Sequence, residues 1–128
     1  MQRPPGPSIP FVLAIDVEPD DQPTARDAVL EIDGLRRTTA WVGRLRGQVL
    51  DRTGAPLRVA WFVRFDAEIA ERGQRSTALA ELAADTLGAA AEHGDAIGIH
   101  SHFSRWDATI DGWLVDHGNR AFVDETLR

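Results

Sequence analysis

The sequence contains no cysteine, and this absence limits the kinds of functional site that it can build. Without thiols there is no disulfide framework and no thiolate metal site, so any metal ion must be held by His, Asp or Glu. The longest apolar run near the start, residues 11–15, is far shorter than the roughly 20 residues that a membrane-spanning helix needs. The sequence also lacks a phosphate-binding glycine loop, a Ser-His-Asp set and a zinc-knuckle spacing. We therefore expect a soluble protein, in keeping with a reducing cytoplasm, that does not enter the membrane.

The composition is that of one globular domain. The 128 residues are 43% hydrophobic and 27% charged, and their net charge is −6. An acidic balance argues against a nucleic-acid partner, because phosphate binding requires clustered Lys and Arg. Residues 1–10 contain four prolines and are predicted to form an extended lead-in. The single domain is then expected to cover residues 11–128.

Apolar runs and helical periodicity alternate along the chain and predict an α/β fold. Three short apolar runs, typical of buried parallel strands, occupy residues 11–15, 57–65 and 95–102. Helices are predicted over residues 39–52 and 76–93, followed by Gly54 and Gly94, and the first turns of another helix over residues 119–128. Trp41 and Trp61 are assigned to the predicted core.

Polar side chains gather where the first and third predicted strands end. Asp16 and Glu18 follow the first strand, and His100 and His102 end the third. Residues two apart on a strand share a face, and the carboxyl ends of parallel strands line a common crevice. Two carboxylates and two imidazoles brought together there would suit a divalent cation such as Zn²⁺. Each pair alone also has a simpler interpretation. The two acids could cap a following helix or lie in a solvated loop, and the two histidines could be hydrogen-bonded residues without a metal.

Two further residues are candidates for substrate binding. Arg64, at the end of the second strand, could bind an anionic or carbonyl oxygen, although a structural ion pair with Asp66 is the favoured alternative. Trp106, just past the histidines, could form the wall of a sugar pocket, or it could belong to the core.

Three segments, FVLAIDVEPDD, RVAWFVRFD and GDAIGIHSHFSRWD, together resemble the polysaccharide deacetylase family of NodB-homology carbohydrate esterases. The resemblance covers roughly residues 10–107. It implies a deformed (β/α) barrel that removes N- or O-acetyl groups from sugars with a divalent metal ion, usually zinc. In that family the first aspartate is the general base, and a second acid and two histidines hold the metal.

The resemblance assigns roles residue by residue. Asp16 matches the catalytic base, Glu18 is the corresponding metal carboxylate, and His100 matches the first histidine ligand. The second histidine of the family falls at position 104, which holds Ser104. Three alternatives remain open: His102 substitutes for it, Ser104 supplies a weak oxygen ligand, or the site is degenerate. The family's later Arg-containing loop and Leu-x-His motif have no counterpart.

The sequence therefore predicts a metal-dependent deacetylase-like hydrolase that acts on acylated carbohydrate or a related amide. The alternatives are a non-catalytic member that binds carbohydrate or protein, and another metal hydrolase such as a phosphoesterase. A closed barrel of this kind needs about 200 residues or more. We accordingly expect the chain to be the amino-terminal part of a longer domain, weakly stable or self-associating on its own.

Overall fold

The computed structural model describes residues 11–20, 26 and 28–127 of the chain. The predicted lead-in over residues 1–10 lies outside them. In order along the chain, the helices and strands are β1 (Leu13–Val17), α1 (Asp33–Thr53), β2 (Val59–Arg64), α2 (Ala67–Gly73), α3 (Ala78–Leu82), α4 (Ala84–Glu92), β3 (Ala96–His100), β4 (Ser104–Asp107), β5 (Gly112–Val115) and α5 (Arg120–Thr126).

The first three strands form a parallel sheet in the order β1-β2-β3. Helices connect them, as the alternating sequence pattern predicted, so the α/β class is confirmed. The register aligns Ile15 with Trp61 and Trp61 with Ile97, which brings the carboxyl ends of all three strands to one edge. β1 lies two residues later than predicted and includes Asp16. A closed barrel is not formed by the residues that the structure describes.

The core lies between one face of this sheet and the helices. Val17, Val59, Trp61 and Val63 point toward the helices, and Trp61 is only 1% exposed. The assignment of Trp61 to the core is confirmed, whereas that of Trp41 is wrong, since 47% of Trp41 is exposed. The buried positions of α1 are Leu35 and Val42, two turns apart, so Trp41 lies outside the buried stripe.

α1 is longer at its start than the sequence indicated. It begins at Asp33 rather than near residue 39, and an Oδ1 atom of Asp20 accepts a hydrogen bond of 2.7 Å from the amide of Gly34. This bond satisfies one of the free amides at the helix start, although Asp20 lies well before it in sequence. Gly54 ends the helix in the left-handed conformation (φ 69°), as predicted.

The helix predicted over residues 76–93 is divided into α3 and α4 at Ala83, which is 1% exposed. α2 was not predicted. Its signal was Asp66, whose Oδ1 atom accepts hydrogen bonds from the amides of Glu68 and Ile69 and so caps the helix. From the sequence, Asp66 was predicted only as a partner of Arg64.

A β-hairpin follows the parallel sheet. β4 and β5 pair antiparallel, with Trp106 opposite Trp113 and their ring centroids 5.6 Å apart. The sequence predicted no strand here, because neither segment shows a clear alternation. The later helix is present as α5. None of the described helices is both long and apolar enough to cross a membrane.

Candidate metal centre

Five of the six predicted site residues lie on or just after the strands that meet at the carboxyl edge of the sheet. Val17 faces the helices and is 1% exposed, so Asp16 and Glu18 belong to the opposite face. Arg64 at the end of β2 pairs in register with His100 at the end of β3. β2 therefore separates the acidic pair from the histidines, and only long side chains can meet across it.

Glu18, His100 and His102 do meet. The Oε1 atom of Glu18 lies 3.1 Å from Nε2 of His102 and 3.4 Å from Nε2 of His100. The two imidazole rings are nearly perpendicular, with centroids 4.7 Å apart. One donor atom from each residue lies within 4.8 Å of the other two. The three side chains are between 28% and 31% exposed, so the cluster is partly open to solvent.

One buried nitrogen of this cluster makes no hydrogen bond with the described residues. Nε2 of His100 is inaccessible to solvent and makes no hydrogen bond with any described residue, despite the nearby Glu18 carboxylate. Buried polar atoms are nearly always satisfied, so an unpaired one needs an explanation. Two imidazole nitrogens and one carboxylate oxygen are a donor set that Zn²⁺ accepts, with a fourth position left for water or substrate. The residues present therefore fit a divalent cation.

Asp16 lies near this cluster without being part of it. Its side chain is exposed and makes no hydrogen bond or ion pair with the described part of the chain. It shares a sheet face with Glu18, two positions along β1, and the two carboxylates line one surface cleft together with Asp20. Asp16 is thus an available carboxylate beside the possible metal ligands.

Arg64 is engaged by protein carboxylates. It is 4% exposed, its Nε donates to Oδ2 of Asp66 at 2.6 Å, and an Nη atom contacts Glu68. Burial by itself would lower the pKa of Arg64, but the hydrogen bond and charge of Asp66 and the charge of Glu68 raise it above its usual value. The ion pair with Asp66 is therefore confirmed, and a role of Arg64 in binding substrate stays a prediction.

Ser104 and His102 occupy different environments. Ser104 is 1% exposed, and its Oγ lies 3.4 Å from an Nη atom of Arg64. His102 instead joins Glu18 and His100. Of the positions considered for the third ligand, the structure brings His102 into the cluster and places Ser104 against Arg64.

Trp106 lies on β4, partly buried, with its ring edge-to-face against Trp113. The guanidinium carbon of Arg26 lies 6.0 Å from the centroid of the Trp106 ring. Trp106 thus belongs to an aromatic pair on the hairpin, and its role as the wall of a sugar pocket stays a prediction.

Sequence reasoning did not identify Glu68 as a site neighbour, or the bond between Asp66 and the backbone of His102. The spacing of Arg64 and Glu68 indicates a contact only if a helix follows β2, since only a helical turn brings Glu68 back toward Arg64. The backbone contact, at 3.2 Å, has no sequence signature at all.

Comparison of the chain with protein-family models, with curated proteins and with solved structures gives no match. The resemblance to polysaccharide deacetylases therefore continues to depend on the three sequence segments alone.

Proposed function

We propose that this protein binds one divalent metal ion, zinc, through Glu18, His100 and His102 and hydrolyses the acyl group of an acylated carbohydrate or a related amide. One observation supports this most strongly. A carboxylate just after β1 and two imidazoles at the end of β3 and just beyond it converge within 4.8 Å, and one imidazole carries a buried nitrogen without a hydrogen bond. The choice of acyl substrate comes from the resemblance to the deacetylase family.

In the proposed reaction the cluster holds the metal ion and Asp16 transfers the proton. A divalent cation held by the cluster would supply Lewis acidity, which lowers the pKa of water and polarises a carbonyl oxygen. Asp16 takes a proton from the attacking water as a new bond forms between the water oxygen and the acyl carbon. The C–N or C–O bond then breaks, the departing nitrogen or oxygen takes the proton back from Asp16, and the acyl group is released as a carboxylate.

The environment of Asp16 suits this role. A general base must reach its proton within hydrogen-bond distance and must not be held by another partner. Asp16 is exposed and makes no ion pair with any residue described, whereas the Glu18 carboxylate lies between two imidazoles and Arg64. The two acids thus have different surroundings, which supports Glu18 as a metal ligand and Asp16 as the general base.

The test is release of acetate from acetylated sugars before and after treatment with a chelator and re-addition of zinc. We expect turnover to disappear with the chelator, to return with zinc, and to be absent in His100→Ala. His93→Ala is the matched control, since His93 is exposed at the end of α4, near the amino end of β3. Turnover that persists through complete metal removal would contradict the proposal.

A second candidate is a non-catalytic protein of the same fold that binds carbohydrate or a protein partner. Ser104 favours it, because this buried residue occupies the position where the family has its second histidine. Stoichiometric zinc binding without turnover of acetylated sugars would support this candidate. Turnover of phosphate esters in place of acyl groups would instead indicate a phosphoesterase.

A further inference from the structure

A buried carboxylate connects β2 to the segment that carries His102. The Asp66 side chain is fully buried, and its Oδ2 atom accepts one hydrogen bond from Nε of Arg64 at 2.6 Å. The same oxygen accepts a second bond, of 3.2 Å, from the backbone amide of His102. Its Oδ1 atom caps α2. One side chain therefore joins a strand, a helix and a loop.

The hydrogen bond to Asp66 matters for His102 because this residue lies outside the regular strands. β3 ends at His100 and β4 begins at Ser104, so His102 lies in a three-residue connection. The connection includes Phe103, whose positive φ of 49° is uncommon for a residue other than glycine. Within this segment, the carbonyl of Phe103 accepts a hydrogen bond of 3.1 Å from the amide of Asp116, and the bond to Asp66 ties the amide of His102 to the segment that follows β2.

Arg64 reaches the other side of the cluster. One of its Nη atoms lies 3.8 Å from Oε2 of Glu18, while Oε1 of the same carboxylate faces the two imidazoles. The backbone on either side is also held, because the amide of Phe65 donates to the carbonyl of His100 at 2.8 Å. The carboxyl end of β2 is thus in contact with all three segments that supply the cluster.

The charge of Arg64 is balanced without Glu18. Asp66 and Glu68 both contact its guanidinium, and Glu68 also contacts Arg72 at 3.3 Å. Among the described residues, two cations and two anions therefore contact one another in one buried set. Glu18 lies at the longer distance of 3.8 Å from Arg64, through Oε2, and its Oε1 atom faces the two imidazoles.

We infer that Asp66 and Arg64 are positioning residues of the metal centre: Asp66 fixes the backbone of His102, and Arg64 fixes the Glu18 carboxylate. This inference rests on the proposed metal binding. Neither residue is a ligand, and each acts through a residue of the cluster. Partners of this kind commonly contribute about 10- to 100-fold to metal affinity.

Asp66→Asn tests the role of Asp66 with little change in shape. Asn is also a good N-cap, so α2 can keep its cap, but the amide cannot accept from the cap amides and from Arg64 and His102 together. We expect about a 10- to 100-fold loss of affinity for Zn²⁺. The visible absorption spectrum of the Co²⁺-loaded protein should change as well, because His102 is no longer held in one orientation.

Asp95→Asn is the matched control. The Asp95 side chain is also fully buried, contacts Arg46, and accepts from the amide of Val59 at 2.9 Å and from Nε1 of Trp61 at 2.7 Å. It lies at the amino ends of β2 and β3, away from the cluster. We expect this variant to lower the melting temperature while leaving Zn²⁺ affinity and the Co²⁺ spectrum unchanged.

The outcomes separate the two proposals. If the unaltered protein binds no metal, both are overturned. If it binds metal and Asp66→Asn keeps the same affinity and spectrum, or loses no more affinity than Asp95→Asn, only the positioning role is overturned. Should Asp66→Asn fail to fold, Arg64→Lys replaces it, since Lys keeps the charge but cannot bridge Asp66 and Glu18. It should lower Zn²⁺ affinity about 10-fold or more, and an unchanged affinity would overturn the inference.

Discussion

Glu18 and His102 meet across the width of β2, with Oε1 of the carboxylate 3.1 Å from Nε2 of the imidazole. Glu18 follows β1 and His102 follows β3, and these two strands do not pair with each other because β2 lies between them. Their approach therefore depends on the intervening strand and on the folded sheet. In an unfolded chain these groups would be far apart, so we expect any binding of a metal ion by this cluster to be coupled to folding.

The two residues considered for the third ligand position should respond differently to truncation. We expect His102→Ala to lower Zn²⁺ affinity about as much as His100→Ala, and by more than the roughly 100-fold upper range for partners outside the ligand set. Ser104→Ala should change affinity little, because its hydroxyl contacts Arg64 rather than the cluster. Competition titration with a chromophoric chelator measures all three. Equal, negligible effects of both histidine changes would refute the metal site.

Asp16→Asn should separate catalysis from metal binding. Since Asp16 lies outside the cluster, the variant is expected to bind Zn²⁺ with the affinity of the unaltered protein. Loss of the general base should lower kcat for acetate release by about 10²- to 10⁴-fold. Parallel measurements of Zn²⁺ affinity and turnover check this. Retention of full turnover would remove Asp16 from the mechanism, and a large loss of affinity would make it a ligand instead.

The buried Asp95 should make stability sensitive to acid. Burial alone would raise the pKa of Asp95, but hydrogen bonds from Trp61, Arg46 and the amide of Val59 outweigh this effect and lower it. A carboxyl with a lowered folded-state pKa stabilises the protein above its unfolded pKa of about 3.9, and this contribution is lost as pH falls further. Asp95→Asn should lower the free energy of unfolding at pH 7 by about 3 kcal/mol.

The difference between Asp95→Asn and the unaltered protein should narrow as pH falls below about 4. Urea unfolding between pH 7 and pH 3 provides the measurement. Asp33→Asn is the control, because its carboxylate is 66% exposed and its pair with Arg36 should contribute less than about 1 kcal/mol. A stability difference that is independent of pH would argue against a lowered pKa for Asp95.

The sheet offers an apolar surface at β3 that should promote self-association. Ile97 and Ile99 lie on the helix-facing side of this strand and are 44% and 72% exposed. Unpaired strand edges with apolar side chains tend to associate. We expect the particle size from light scattering to rise with protein concentration, and less so in Ile99→Lys. Ile110→Lys, a change at an isoleucine 62% exposed between β4 and β5, should leave association unaltered.

The parallel strands with helical connections, and the polar residues at their carboxyl ends, could be predicted from sequence. Short apolar runs that end in Asp16, Glu18, His100 and His102 carry a local signal, and the geometry of parallel strands brings such ends together. The start of α1 was missed, because the aspartate that contributes to its first turn, Asp20, comes from a distant position.

The surroundings of the cluster could not be predicted, because they depend on tertiary contacts. The choice between His102 and Ser104 followed only from which side chain faces Glu18 and which faces Arg64. Likewise, a bond from the His102 amide to Asp66 involves a backbone group, which sequence does not distinguish. Local pattern therefore predicted candidate ligands, and packing determined how they are arranged.

X-ray absorption at the zinc edge, on protein loaded with zinc to saturation, identifies the ligands of the proposed metal site. We expect uptake of one zinc ion per chain, bound by two imidazole nitrogens at about 2.0–2.1 Å and by oxygen ligands at about 2.0–2.2 Å. The double variant His100→Ala, His102→Ala should lose both the stoichiometric uptake of zinc and the imidazole signal. Absence of stoichiometric uptake by the unaltered protein, or a ligand shell without imidazole, would contradict the assignment of Glu18, His100 and His102 as a metal site.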